Sequence, residues 1–314
     1  MFKYIINRLI STAPVILSIS ILVFSMLHLV PGDPVRAMFV ESGGASAEQI
    51  AQIRNLLGLD KPLPLQYVDY VTSALRGDLG KSIITQQSVT ELIRLSFPST
   101  FQLTVAGMGL AVLLGVAMGI AAALHHNSWF DNLTMLTATM GVSMPSFWLG
   151  LLLIYVFGIQ LRWVPITAGS DMRRLLLPAV ALGFQAAAII ARMVRSSLLE
   201  VMKEDYIRTA RAKGLSSTKV ILRHALRNAL IPVVTVVGLQ FGGLLGGAVI
   251  IESVFARRGI GQLMVGALQA RDFPLAQGCV LFVAIVYVLV NLGVDMLYGF
   301  IDPRIQYHET PAAA

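Results

Sequence analysis

The sequence predicts an all-α membrane protein with six transmembrane helices, and three observations predict it. The 314 residues are 56% hydrophobic and 13% charged, with a mean hydropathy of +0.74, a composition no ordinary soluble domain has. Six apolar runs approach or exceed the ~20 residues that a helix needs to cross the hydrocarbon core: residues 9–30, 100–124, 133–160, 175–191, 229–251 and 276–294. Apart from His28, Cys279 and tyrosines, these runs contain no titratable side chain.

The first run is long for a secretory signal and no Ala-x-Ala cleavage pattern follows it, so residues 1–30 read as a retained N-terminal span. Residues 31–99 read as a small extracytoplasmic helical segment. In "SAEQIAQIRNLLG", Ser46 and Gln49 stand at capping-box spacing, Ile50, Ile53, Leu56 and Leu57 share a face, and Gly58 is a stop. A second helix is predicted from near Pro64 to Gly77, and Ser88 and Glu91 repeat the capping box before the second span. "GDLGKS" lacks the first glycine of a phosphate loop, Leu75 standing there, so no ATP site is expected.

Lysine and arginine in the loops set the orientation. Lys3, Arg8, nine basic residues from Arg192 to Arg227, and Arg304 fall on one side, which places both termini in the cytoplasm; the long 31–99 segment is discounted because long segments translocate largely regardless of charge. Topology accounts for the net charge of +7, and nucleic acid is not required as a partner. A single cysteine excludes an intramolecular disulfide and a multi-cysteine metal site. His125 and His126 are adjacent, which turns their rings apart on a helix, so no metal site is expected.

Small residues recur every four positions in the second span (Ala111, Gly115, Gly119, Ala123) and in the fifth (Gly238, Gly242, Gly246, beside Gly243 and Gly247). Such rows let helix backbones approach closely, either as static packing or where helices rock at a pathway. Pro145 removes a backbone donor and should bend the third span.

A basic insert, "EDYIRTARAKGLSSTKVILRHALRNALIP", lies between the fourth and fifth spans. Tyr206, Ile207 and Ala210 fall on one side of a helix and Arg208, Arg211 and Lys213 largely on another, until Gly214 ends it. Ser216 or Ser217 caps a second helix, with Lys219, Arg223 and Arg227 four apart and an apolar stripe of Leu222, Leu226, Ala229 and Leu230. Two readings stand: a basic anchor on anionic headgroups, or an elbow docked on a partner protein.

A secondary transporter or channel would place ionisable groups at mid-membrane; Arg192, Arg195 and Asp295 instead fall at inner ends and read as interfacial. An intramembrane hydrolase is disfavoured, since neither His-Glu-x-x-His nor Gly-x-Ser-x-Gly occurs.

"EDYIRTARAKGL" followed by "HALRNALIPVV" resembles the cytoplasmic loop of ABC importer permeases of the dipeptide, oligopeptide, glutathione and nickel group. The likeness extends over nearly the whole chain, through "PGDP", "LGLDKP", "GDLGKS", "SMPSFW", "RMVRSSLLEV", "GLQFGGLLGG", "RDFPLAQ" and "DPRI" in that order. Two departures stand out. Arg208-Thr209-Ala210 occupy the place of the wider superfamily's Glu-Ala-Ala, and Arg257-Arg258 stand where many relatives have Trp-Pro.

The resemblance implies a MetI-like type I importer fold, with a five-helix permease core over residues 96–300, a coupling loop at 200–228 and a cytoplasmic tail from 301 to 314. It implies ATPase coupling through Glu204, Asp205, Tyr206, Arg208, Thr209, Ala210, Arg211, Lys213 and Gly214, while the small-residue spacing points to helix packing at the pathway through Gly115, Gly119, Gly238, Gly242 and Gly246. Glu252, Arg271 and Asp272 would form an outer gate or binding-protein contact. The implied partners are a second homologous permease, two ABC ATPase subunits, an extracytoplasmic solute-binding protein and the bilayer of the bacterial inner membrane. No cofactor is expected in this chain, ATP and magnesium being held by the ATPases, and no catalysis. Peptides are the expected solute, with glutathione next and nickel third.

Overall fold

Helix forms along the described part of each apolar run, and the breaks fall at proline, glycine and polar turn residues. The computed structural model describes residues 2–28, 35, 46–56, 58–164 and 173–301. The "PGDP" and "DPRI" stretches, Leu57 and the tail from residue 302 lie outside the described residues. The order is α1 (Phe2–His28), α2 (Ala47–Leu56), α3 (Leu63–Leu75), α4 (Val89–Leu124), α5 (Trp129–Ser143), α6 (Ser146–Gln160), α7 (Arg173–Val201), α8 (Asp205–Ala212), α9 (Ser217–Val254), α10 (Ile260–Gln269) and α11 (Phe273–Ile301).

Among the described residues four helices, α4, α7, α9 and α11, are long and apolar enough to cross a membrane, and α5 with α6 makes a fifth if the pair is one broken span. In α1 the described apolar stretch, Ile10–Met26, is shorter than these. The third run is broken more sharply than a kink, with α5 and α6 bent by 108°. The cause is local: Pro145 lacks an N–H and sits at φ −61°, and the residue before a proline is driven out of the helical region, Met144 standing at φ −86°, ψ 124°.

Packing divides the chain into two units, residues 1–5, 101–257 and 290–314 in one and residues 6–100 and 258–289 in the other. In the first, α7 is central: 61% of its apolar stretch is buried, against 33% for α4 and 28% for α9. Leu103, Met108, Leu182, Ile190, Val194, Leu244 and Ile251 form its core. The row in α4 lies directly on α7. A Cβ on Gly115 would stand 2.8 Å from the Ala187 carbonyl oxygen, one on Gly119 would stand 2.6 Å from that of Ala191, and Gly183 meets the Gly107 backbone. In α9, Gly238 packs on Val294 and Gly242 is buried, but Gly246 faces open space, while its neighbour Gly247 meets Leu182. The fifth-span row is therefore not one continuous crossing within this chain.

The second unit contains most of the N-terminal span, the following segment, α10 and the start of α11. The first capping box forms reciprocally: the Gln49 amide donates to Ser46 Oγ (3.2 Å) and the Ser46 amide to Gln49 Oε1 (2.9 Å). At the second, Glu91 accepts from Arg94 (2.9 Å). Helix α3 is tied to α1 by Ser20 and Tyr67 (2.7 Å) and by His28 and Gln66 (3.0 Å). Tyr70 packs near Phe24, and burial, with Tyr67 beside it, pushes its hydroxyl up to about 12. Val89, Ile93, Ile260, Leu275 and Cys279 make the core, with Phe97 edge-on to Phe282 at 5.2 Å. Gln277 donates to the Val23 carbonyl at 3.0 Å, so a polar side chain secures α11 to α1.

Candidate functional site

The insert is an elbow with a buried inner face and a charged outer one. Helix α8 ends at Gly214, whose φ of +76° is a conformation in which a side chain is strained. The Gly214 amide donates to the Arg211 carbonyl (2.9 Å) and the Leu215 amide to that of Ala210 (3.4 Å), the paired bonds of a Schellman end. Ile207 is 0% and Ala210 7% exposed, packed with Leu198, Val220, Ala225, Ala229 and Ala123. That cluster seats the insert on the ends of α4, α7 and α9. Glu204, Asp205, Arg208, Thr209, Arg211, Lys213 and Gly214 are exposed. Tyr206 is exposed as well, and its hydroxyl accepts from Asn228 Nδ2 at 2.8 Å, tying α8 to α9.

Two placements differ from the sequence expectation here. Ala210, grouped by the sequence with the exposed coupling residues, is 7% exposed and packs inward with Ile207 beneath α8. The expected stripe holds at Ala229, with Leu226 and Leu230 half-buried, but loses Leu222, because residues 220–225 are π-helical. A wider turn adds a residue to the period, so the buried face runs Val220, Ala225, Ala229, Val233, and Leu222 is 59% exposed.

A polar cluster that sequence reasoning missed lies beside the insert. Arg195 on α7 forks onto Asp131 in the first turn of α5, Nε donating to Oδ1 at 2.5 Å and Nη2 to Oδ2 at 2.7 Å. Asp131 is 1% exposed, and its Oδ2 also accepts the Asn127 amide at 3.0 Å. His126 Nδ1 lies 3.1 Å from Arg195 Nη2 and 3.3 Å from Asp131 Oδ2. Arg195 is thus paired rather than merely interfacial. The available signal was an acid, Asp131, just before the third apolar run and two bases, Arg192 and Arg195, just after the fourth, on the same side of the predicted topology.

At the far ends of the helices, the expected gate residues fall into different units: Glu252 in the first, Arg271 and Asp272 in the second. Asp272 is 2% exposed and acts as an internal staple. Its carboxylate accepts from Ser82 Oγ (2.5 Å), the Ile83 amide (3.2 Å) and the Leu275 amide (3.4 Å), which fastens the 77–88 turn to the start of α11. "GDLGKS" is part of that staple. Arg271 holds φ +55°. Glu252 is fully buried, and burial pulls the Arg257 guanidinium below its ordinary value while Glu252 opposes the shift. Arg258, Gln262, Leu263, Ser96 and Ile84 line a cleft of about 400 Å³ in the second unit. Among the described residues no group of three or more His, Cys, Asp or Glu side chains is placed to hold a metal.

Residues 115–307 match the family described as the binding-protein-dependent transport system inner membrane component, and residues 1–104 match its N-terminal membrane component. The glutathione transport system permease protein GsiC of Salmonella typhimurium is 45% identical over 307 residues, covering 98% of this chain and all of that one. The same protein from Pectobacterium atrosepticum is 46% identical and that from Escherichia coli K12 44%, with the same coverage. An inward-facing structure of the MetNI methionine ABC transporter superposes with a TM-score of 0.57 at 18% identity, over 67% of this chain and 96% of the other, which shows a shared fold. The helical order, the glycine-packed α4 and α7, and these matches along the length agree: the chain belongs to the inner-membrane permeases of binding-protein-dependent ABC importers.

Proposed function

We propose that this chain forms half of the translocation pathway of an ABC importer for short peptides, with glutathione the first solute to test. Support for the solute comes from the end-to-end likeness to glutathione permeases. The other half would come from a second permease of the same kind, and the insert would sit in a cleft of one of two ATPase subunits that hold ATP and magnesium. Both termini and the insert would face the cytoplasm. The observation that carries the mechanical part is the insert itself: an exposed charged face at Arg208, Arg211 and Lys213 over a buried foot at Ile207 and Ala210. A partner gripping the outer face moves the ends of α4, α7 and α9 through that foot. Nucleotide state then shifts the permease between inward-open and outward-open because the partner interacts differently with each. The external binding protein selects the solute, and the permease makes and breaks no covalent bond.

The test is a binding assay on the cognate solute-binding protein with glutathione, dipeptides, longer peptides and nickel, followed by ATPase measurements on the reconstituted complex. Retention of glutathione or short peptides, with hydrolysis stimulated by the loaded binding protein, is expected. Retention of nickel alone overturns the solute, and hydrolysis indifferent to the loaded protein overturns the importer mechanism for this chain.

A further inference from the structure

We propose that Asp131, Arg195 and His126 form a clasp that makes α5 follow the insert, so that motion delivered at α8 reaches α4, α5 and α7 as one body. The inference rests on the permease reading above and names positioning residues within it.

The apolar cluster beneath the insert draws on α4, α7, α8 and α9 but contains no residue of α5. Several of its buried members are alanines (Ala123, Ala210, Ala225, Ala229), which fill space without fixing direction. The Arg195 fork is directional, because two parallel N–H donors meet two carboxylate oxygens in one plane. It is placed within two turns of the end of α7 at Val201, and α8 begins at Asp205. Leu198, in the intervening turn, is fully buried in the same cluster as Ile207. A displacement of α8 therefore meets Leu198 first and Arg195 next. Arg195 passes it to Asp131, and Asp131 holds the α4–α5 turn through the Asn127 amide. From there α5 leads to the Pro145 break, where Gly141 packs on Phe184 and Ala188 of α7, so the clasp is the polar hold on the bent third run at the end of α7 that meets the insert. A buried carboxylate that loses its cation is costly, which makes the two residues a unit rather than two independent contacts.

The test is a double-mutant cycle in the full reconstituted complex with Asp131→Asn, Arg195→Gln and the double variant, reading solute transported per ATP hydrolysed, normalised to assembled complex. Each single substitution is expected to leave ATPase subunit association and basal hydrolysis in place and to lower that ratio about tenfold, with the double variant no worse than the worse single, as for a coupled pair. Wild-type ratios in the singles, or effects that simply add in the double, overturn the clasp. If the neutral variants do not assemble, Arg195→Lys keeps the charge but not the fork: a lowered ratio in an assembled complex supports the proposal and a wild-type ratio overturns it. Failure of the permease reading is separate, because it shows in the wild-type complex as hydrolysis that the binding protein does not stimulate.

Discussion

Gly214 and Gly119 answer to different forces. At Gly214 a Cβ would meet nothing within 4 Å, so the cost of a side chain is backbone strain alone at φ +76°. Gly214→Val is expected to cost ~1 kcal/mol or more and to misdirect α9, while Gly214→Asn, which tolerates the left-handed region, is expected to be milder. Transport and ATPase association of the two variants check this; equal behaviour would remove the strain argument. At Gly119 the conformation is ordinary helix and the obstacle is the Ala191 carbonyl, a backbone atom with no freedom to move aside. Gly119→Val should destabilise the chain by about 1–3 kcal/mol, seen as a lower melting temperature in detergent, whereas Gly246→Ala should leave the melting temperature unchanged. Spacing alone had made Gly119 and Gly246 equivalent. They differ because a row of small residues records that a close approach is possible, and only the path of the neighbouring helix decides where it occurs.

Among elements, the insert was the most legible: its glycine stop, its two helices and the exposure of Arg208, Arg211 and Lys213 all follow from pattern. What pattern could not supply was the π-helical turn at 220–225, since a stripe drawn at 3.6 residues per turn selects Leu222 and misses Val220 and Ala225. The clasp escaped for a related reason, its two charges being 64 positions apart: Arg195 lies in "RMVRSSLLEV", but Asp131 lies in none of the matched stretches, and nothing in the sequence around either points to the other. Charge reversal at Arg208 and Arg211 is expected to weaken ATPase association several-fold in detergent without altering the melting temperature, because both side chains are exposed. Ile207→Asp should do the opposite, lowering the melting temperature by placing a charge in the apolar foot. If the reversals leave association untouched while headgroup binding falls, the insert is a lipid anchor. The Asp272 staple belongs at this scale as well: Asp272→Ala should release the 77–88 turn, read as faster amide exchange of residues 79–88 in the intact chain.

For the molecule as a whole, hydropathy gave the class and the order of helices, and loop charge gave an orientation that a labelling experiment decides. Cys279 is fully buried, so cysteines introduced at exposed Ser46 and Ser217 can be read against a quiet background. Reaction of Ser46→Cys from outside intact cells and of Ser217→Cys only after permeabilisation is expected; reaction of both from outside overturns the orientation. Division into units was not legible in the same way. The first run and the segment after it read as separate pieces because sequence shows where a helix stops, whereas Gln277, which secures the first helix, stands 254 positions from Val23.

The break at Pro145 bears on how the chain is made. Helix α5 has 15 residues and so spans about 22 Å, less than the ~30 Å of a hydrocarbon core, and its partner α6 turns away from it at once. The turn also takes from the Val142 carbonyl the partner that an unbroken helix would give it. The donor that replaces it, Gln185 Nε2 at 3.2 Å, lies on α7, which leaves the ribosome later. During synthesis the third run is therefore an incomplete passenger in the bilayer, carrying an exposed carbonyl until the fourth run arrives to cover it. Chains stalled before Gln185 should hold the third run less firmly than chains released after it, which ties membrane integration of this permease to the order in which its helices emerge.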